Sequence, residues 1–147
     1  MAINIETVAL GTDHAGYELK EIVKTHLENK GLTVHDFGAH SNEQCDYPTF
    51  CRPAAEAVAA GDADVGIVFG GSGNGEQMVA NKVKGIRCAL CWNESTATLA
   101  KEHNNANVIS LGARQVTEEM ALKIVDAWLA ATFEGGRHLN RINLIES

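Results

Sequence analysis

Residues 65–77, VGIVFGGSGNGEQ, carry the pattern on which the fold assignment rests. The first five are almost continuously apolar, which is typical of a buried parallel strand covered on both faces. A run with four glycines in six residues follows and leads into helical periodicity over residues 76–83. We therefore interpret the stretch as a strand, a glycine-rich loop and a helix, the repeating unit of an α/β protein.

The same alternation of strands and helices continues on both sides of this unit. Short apolar runs predict four further parallel strands, at residues 7–11, 32–37, 86–91 and 108–112. Between them, Leu19, Val23 and Leu27 share one helix face, and Thr117 is the predicted N-cap of a late helix. Pro53 lies in an alanine-rich stretch, where a helix either begins or kinks. The pattern predicts an α/β fold, a three-layer α/β/α sandwich in a single domain spanning residues 1–147.

The composition excludes several classes of partner. The chain has 147 residues, 45% of them hydrophobic, and a net charge of −7, which repels nucleic acid and anionic membranes. No apolar run approaches the roughly 20 residues that cross a bilayer. Residues 1–7 lack the basic and apolar regions of a signal peptide. We expect a cytoplasmic protein with no nucleic-acid or membrane partner.

The four cysteines are expected to be reduced thiols in that compartment. Cys88 and Cys91 have the spacing of a metal or redox pair, but they fall in a predicted strand. Residues three apart in a strand point to opposite faces, so the two sulfurs diverge. Because the run is apolar and free cysteines are usually buried, we expect both side chains to be buried. The sequence offers no set of His, Cys and Asp at metal-ligand spacing, so we predict no metal and no cofactor.

Three loops follow predicted strands at the edge where parallel sheets bind ligands. They are residues 11–16, 70–77 and 112–114. The glycine-rich loop lets backbone amides and a helix N-terminus face an anionic oxygen, although it could also be only a tight turn. It matches neither a Walker A motif nor a dinucleotide-binding motif.

Individual polar residues allow two interpretations each. Asp13 and His14 suit acid–base or polar substrate contacts, or Asp13 could cap the next helix. Glu76 could act in the pocket or only complement the helix dipole, and His103 could only contact the last carbonyls of its helix. Arg137 and Arg141 share a helix face beside His138. These residues could bind a phosphate, or they could form only a solvated basic face.

Taken together, these residues resemble the ribose-5-phosphate isomerase B family, also described as RpiB/LacAB sugar-phosphate isomerases. The resemblance runs from Val8 to about Ile145, and the motifs that carry it are highly specific when taken as a set. Its motifs are GTDHAG at 11–16, DYP at 46–48, GGSGNGE at 70–76, ANK at 80–82, HNNANV at 103–108, GAR at 112–114, IVDAW at 124–128 and EGGRH at 134–138.

The resemblance implies a Rossmann-like five-stranded parallel sheet and a homodimer with sites between subunits. It implies aldose–ketose isomerisation of ribose 5-phosphate and ribulose 5-phosphate through a cis-enediolate, without a cofactor. One branch of the family uses a Cys base at the position of Gly70, so this chain matches the branch in which Glu76 is the base.

The resemblance also assigns the other site residues. His103 would open the sugar ring. Sugar hydroxyls would contact Asp13, His14 and Asn104, and the enediolate oxygens would contact Gly71, Ser72, Gly73, Asn74 and Gly75. The phosphate would be held by Arg114, Arg137 and Arg141, with His138 nearby.

Two alternatives remain open, an isomerase of galactose 6-phosphate or allose 6-phosphate and a non-catalytic phosphosugar-binding module. The predicted topology also bears on assembly. His103 precedes strand five, whereas Glu76 follows strand three, so they lie at opposite edges of the sheet. A strand of about six residues spans roughly 20 Å, which favours a site completed by His103 of a second subunit.

Overall fold

The computed structural model describes residues 4–147. Residues 1–3, part of the predicted domain 1–147 and of the segment judged for a signal peptide, lie outside the described residues. Strands and helices alternate in the order β1 (Thr7–Thr12), α1 (Tyr17–Asn29), β2 (Thr33–Asp36), α2 (Tyr47–Ala60), β3 (Val65–Gly70), α3 (Asn74–Asn81), β4 (Cys88–Leu90), α4 (Glu94–Asn104), β5 (Val108–Gly112), α5 (Glu118–Ala130) and α6 (Arg137–Glu146).

The five strands form one parallel sheet in the order β2-β1-β3-β5-β4. This confirms the α/β class and the Rossmann-like parallel sheet. After β1 the chain passes to β2 on one side, and β3 then pairs with the other side of β1. The order therefore reverses between β1 and β3, and ligands bind at such a point, outside the carboxyl ends of the strands.

Two apolar cores cover the two faces of the sheet. Val8 and Leu10 of β1 belong to a core shared with α1, α4 and α5. Ala9, between them, belongs to the opposite core, shared with α2 and α3. Alternate residues of one strand thus serve different cores, which is the expected period of two and gives the predicted three layers.

The end of β1 is held by the segment that follows β2. Thr12 donates its amide to Gly38 O at 2.7 Å and accepts from the Ala39 amide at 2.9 Å. The fully buried Lys20 ammonium binds the Asp36 carboxylate and Ala39 O, all at 2.8 Å. Because a buried charge needs a close partner, this ion pair fixes the chain just before Asp13.

Two helices begin earlier than their sequences predicted. α2 begins at Tyr47 with Pro48 in its first turn, so Pro53 lies inside the helix and does not start it. α3 begins at Asn74 and ends at Asn81, two residues ahead of the predicted range 76–83 at each end. Gly73 precedes α3 with φ of 84°, a left-handed conformation that favours glycine and turns the chain into the helix.

The prediction for the Cys88 and Cys91 pair is confirmed. Both side chains are buried, and they lie in different cores, Cys88 on the α2–α3 side and Cys91 on the other. Burial raises the pKa of the Cys91 thiol to about 12 and that of Cys88 well above its usual range. The two sulfurs are therefore packing groups on opposite faces of the sheet.

Among residues 4–147, none of the helices is long and apolar enough to cross a membrane.

Candidate active site

The loops after β1, β3 and β5 meet at one edge of the sheet, as predicted. The Ala113 amide donates to Gly70 O at 2.7 Å, and the Arg114 amide donates to Gly71 O at 3.0 Å. These bonds bring the loop after β5 against the glycine-rich loop after β3. The Arg114 side chain then covers Gly71, because a Cβ there would lie 3.2 Å from the guanidinium Nη1. The exposed Arg114 guanidinium thus borders the glycine-rich loop.

Glu76 lies in the first turn of α3 and is only 4% exposed. Its carboxylate occupies the space where a side chain on Gly70 would begin, so a Cβ at position 70 would collide with it. Burial raises the pKa of Glu76, and the nearby Asp13 carboxylate adds to the rise, although the residue's own backbone N–H opposes it. A carboxylate with a raised pKa, held in one place by packing, is suited to proton transfer.

A hydrogen bond from the neighbouring strand β5 holds the glycine-rich loop in place. Ser110 of β5 donates its hydroxyl to Gly73 O at 2.7 Å, and Ser72 Oγ accepts from the Asn74 amide at 3.2 Å. Within the described part of the chain, the Gly71 and Ser72 amides make no main-chain hydrogen bond. With the N-terminus of α3, these amides form an environment that attracts an anionic oxygen.

Asp13 and His14 border the same pocket after β1. Asp13 is buried, and its Oδ1 accepts from the Gly16 amide at 3.1 Å. This bond closes the turn before α1, but Asp13 does not cap the helix as considered from the sequence, because the N-cap is Gly16 and has no side-chain hydrogen bond. His14 Nδ1 accepts from the Cys45 amide at 3.3 Å. In the neutral ring this leaves the proton on Nε2, which can donate to a ligand hydroxyl.

Two side chains beside Glu76 were missed as site residues. The Tyr47 ring packs against Gly75, where a Cβ would collide with it. Cys51 is fully buried. Burial raises the pKa of its thiol far above the usual range, and the negative charges of Glu76 and Asp13 raise it further. The DYP motif at residues 46–48 contains Tyr47 and could have identified it. No sequence motif contains Cys51, because its place beside Glu76 depends on how α2 packs on β1.

The remaining predicted site residues gather at the end of α4 and on α6. The rings of His103 and His138 stack with centroids 4.2 Å apart and planes at 13°. The Glu134 carboxylate Oε1 lies 3.7 Å from His103 Nε2 and 3.4 Å from His138 Nε2. Burial lowers the pKa of His138, and the neighbouring Arg137 and His103 add to this effect, whereas Glu134 opposes it. Arg137 and Arg141 are exposed on α6.

Arg87, which the sequence analysis did not single out, holds this second group in place. Its guanidinium donates to Asn104 O and Asn105 O, both at 2.9 Å, and to Glu146 Oε1 at 2.7 Å. It thereby satisfies carbonyls at the end of α4 and ties the end of α6 to them. Arg87 therefore makes the contact with the helix-end carbonyls that had been considered for His103.

The predicted site residues thus form two clusters in one chain. β5 lies between them and has five residues, which span roughly 16 Å. We call the first the carboxyl-edge cluster, which contains Asp13, His14, Gly71, Ser72, Gly73, Asn74, Gly75, Glu76 and Arg114. We call the second the α4–α6 cluster, which contains His103, Asn104, Arg137, His138 and Arg141.

The fold and the carboxyl-edge cluster together indicate a class of protein. It is an α/β protein that has an acid–base site for a small anionic ligand at the point where the strand order of its parallel sheet reverses. The family model for ribose/galactose isomerases matches residues 8–145. The chain belongs to this family of sugar-phosphate isomerases.

Several relatives of known name are similar over nearly their whole length. Ribose-5-phosphate isomerase B of Mycolicibacterium paratuberculosis is 50% identical over 94% of this chain and 88% of its own. The structure of the Clostridium thermocellum ribose-5-phosphate isomerase B is 48% identical, with a TM-score of 0.94 and 95% of each chain covered. The Mycoplasma genitalium enzyme, solved with bound ribulose 5-phosphate, is 44% identical, with a TM-score of 0.90, and the match covers 95% of this chain and 93% of that one.

Proposed function

We propose that this chain is an aldose–ketose isomerase that interconverts ribose 5-phosphate and ribulose 5-phosphate in the non-oxidative branch of the pentose phosphate pathway. The observation that carries the proposal is the buried Glu76 carboxylate, fixed against Gly70 at the mouth of an amide-lined loop. A binding module needs the loop and the arginines but no carboxylate of raised pKa aimed into the pocket.

Glu76 removes the proton from C2 of the open-chain aldose and returns it to C1 of the cis-enediolate. The glycine-rich loop at residues 71–75, through amides such as those of Gly71 and Ser72, and the N-terminus of α3 stabilise the enediolate oxygens, where negative charge develops. His103 serves the preceding step, in which the furanose ring opens and a proton moves between the ring oxygen and O1. The raised pKa of Glu76 supports this role, because a stronger base draws a carbon-bound proton more readily.

The other residues of the two clusters bind the substrate. Asp13, His14 and Asn104 contact sugar hydroxyls, and His14 Nε2 is available as a donor because Nδ1 already accepts a bond. Arg114, Arg137 and Arg141 hold the phosphate dianion through charge-assisted bonds, with His138 beside them.

The functional unit is a homodimer in which each site takes one carboxyl-edge cluster and the partner's α4–α6 cluster. The separation along β5 supports this arrangement, because His103 of one chain precedes the start of that strand, whereas Glu76 lies at the edge where the strand ends. Since His138 stacks on His103, α6 would enter the shared site together with the end of α4. A twofold axis then generates two equivalent sites.

The reaction needs no metal and takes place in the cytoplasm. A direct test incubates ribose 5-phosphate with the protein and EDTA and measures ribulose 5-phosphate. We expect undiminished turnover with EDTA, and Glu76→Gln protein serves as the control for contaminating isomerase. Binding of ribose 5-phosphate without turnover would instead identify a phosphosugar-binding module.

A six-carbon aldose phosphate is the second candidate substrate, because the matching family model covers both ribose and galactose isomerases. A panel of ribose 5-phosphate, allose 6-phosphate and galactose 6-phosphate separates the candidates by kcat/KM. We expect ribose 5-phosphate to give the highest value, and a higher value for either hexose phosphate would reassign the substrate.

A further inference from the structure

The α4–α6 cluster contains a carboxylate that the proposed reaction does not use. Glu134 lies between the end of α5 and the start of α6, four residues before His138, and it faces both histidines. Ligand atoms of His103, Glu134 and His138 all lie within 4.8 Å of one another. The sequence analysis missed this group because His103 lies far from the other two along the chain.

The two separations that include Glu134 are close to those of a metal site, and the two histidine nitrogens lie within 4.8 Å of each other. In a tetrahedral zinc site with bonds of about 2.0–2.1 Å, neighbouring ligand atoms are about 3.3 Å apart. Glu134 Oε1 lies 3.4 Å from His138 Nε2 and 3.7 Å from His103 Nε2, so a small contraction brings these pairs to that spacing. Two imidazoles and one carboxylate are also a ligand set that zinc accepts, with a fourth position left open.

The His138 ring has a nitrogen that is available to a ligand. Its Nε2 is buried and, among residues 4–147, makes no hydrogen bond of acceptable geometry, although Glu134 Oε1 lies 3.4 Å away. Buried polar atoms are normally satisfied. The carboxylate opposite is anchored through the backbone, since the Glu134 amide donates to Glu102 O at 3.0 Å at the end of α4. The backbone that carries Glu134 is therefore held beside the two histidines.

One adjustment is required for coordination. The two rings are nearly parallel, at 13°, with centroids 4.2 Å apart, so their nitrogen lone pairs lie in two separate, nearly parallel planes, whereas a shared ion needs both lone pairs to point at one position. The His138 side chain is 8% exposed and held by packing, but the His103 and Glu134 side chains are 37% and 48% exposed. His103 and Glu134 can therefore turn toward an ion that His138 holds.

We propose that His103, Glu134 and His138 form a site for one divalent transition-metal ion of the zinc class per chain, and that the bound ion inhibits the enzyme. Binding depends only on the three side chains. The inhibition rests on the proposed function, because coordination removes the His103 lone pair from ring opening and places an ion where the substrate binds.

The test titrates Zn²⁺ into the metal-free full-length protein by calorimetry and records the visible spectrum with Co²⁺. We expect one ion per chain and the intense absorption of a tetrahedral cobalt site. Glu134→Gln should weaken binding at least by the roughly 10- to 100-fold that loss of an outer-shell partner costs. Glu119→Gln, an exposed carboxylate on α5, is the matched control and should bind as the unaltered protein does.

Activity is measured separately, as the ratio of turnover with and without Zn²⁺ within each variant. We expect Zn²⁺ to inhibit the unaltered protein and the Glu119→Gln control, EDTA to reverse it, and Glu134→Gln to resist it. Absence of saturable binding, or equal binding by Glu134→Gln and the unaltered protein, would overturn the metal site. Binding as expected in a protein without isomerase activity would preserve the site and reject the proposed function instead.

Discussion

The carboxyl-edge cluster and the α4–α6 cluster are built by different parts of the fold. The first is made by loops that leave neighbouring strands, and its acids Asp13 and Glu76 are buried. The second is made by helix ends on the flank of the sheet, and Arg137 and Arg141 are exposed. Burial raises the pKa of Glu76, the proposed base, whereas exposure leaves Arg137 and Arg141 accessible to a ligand of a second subunit in the proposed dimer. Neither cluster alone contains both Glu76 and His103.

The largest expected effect lies in the carboxyl-edge cluster. Glu76→Gln keeps the shape of the side chain and removes its basicity, so kcat should fall roughly 10²- to 10⁴-fold, with a modest change in substrate binding. Steady-state kinetics measures the loss, and deuterium from the solvent should no longer enter C2 of the sugar. Near-normal turnover would remove Glu76 from the mechanism, whereas Glu119→Gln should change nothing.

Gly70→Ala tests whether the position of the base matters as much as its presence. The new methyl group would occupy the space of the Glu76 carboxylate and force it aside. A displacement of about 1 Å can cost 10²-fold, so we expect a loss of that order in kcat.

Gly66→Ala is the matched control for this change. It adds a methyl group to the same strand, against Val58 and away from Glu76, so it should affect stability more than kcat. Circular dichroism would verify folding of both variants, and full activity in folded Gly70→Ala would show that the carboxylate has other productive positions.

The arginines test whether the two clusters serve one ligand. Hydrogen bonds to charged groups contribute about 1.5–3 kcal/mol, so Arg114→Gln and Arg137→Gln should each weaken binding of ribose 5-phosphate about 10- to 100-fold. Binding of free ribose should change little. Calorimetry with both sugars separates the effects, and equal losses for the two ligands would assign the arginines a structural role.

The smallest expected effect is a displacement of the pH profile. Burial and the nearby Asp13 charge raise the pKa of Glu76, and only the deprotonated form is a base. Activity should therefore rise with pH through a range above that of an ordinary glutamate. Asp13→Asn removes a like charge, so the acid limb of kcat/KM should move to lower pH, whatever the loss in absolute rate. An unmoved limb would mean that Asp13 does not tune the base.

The fold could be predicted because its strands are short apolar runs buried on both faces. The strands predicted at residues 65–69 and 108–112 match β3 and β5 to within one residue at each end. The starts of α2 and α3 were less accurate, since Pro48 can open a helix and Gly75 can lie inside one. Those choices depend on packing, such as the Tyr47 ring against Gly75, which no local pattern contains.

The carboxyl-edge cluster could be predicted for a similar reason. In a parallel sheet the topology alone brings Asp13, Glu76 and Arg114 to one edge. Arg87 and Glu134 could not be found in this way, because their contacts depend on how α6 lies against α4. The sequence also gave no hint that the Glu76 carboxylate fills the space above Gly70, which is the feature that fixes the position of the proposed base.

The central claim is that each site joins Glu76 of one chain to His103 of another. The measurement mixes Glu76→Gln and His103→Ala chains after dissociation and reassociation. Random pairing makes about half of the dimers mixed, and each mixed dimer has one intact and one doubly altered site, so activity should recover to about a quarter of the unaltered level. Exchange is verified with differently tagged chains. If the chains exchange and activity stays at the level of the parent variants, each site is complete within one chain and the account is wrong.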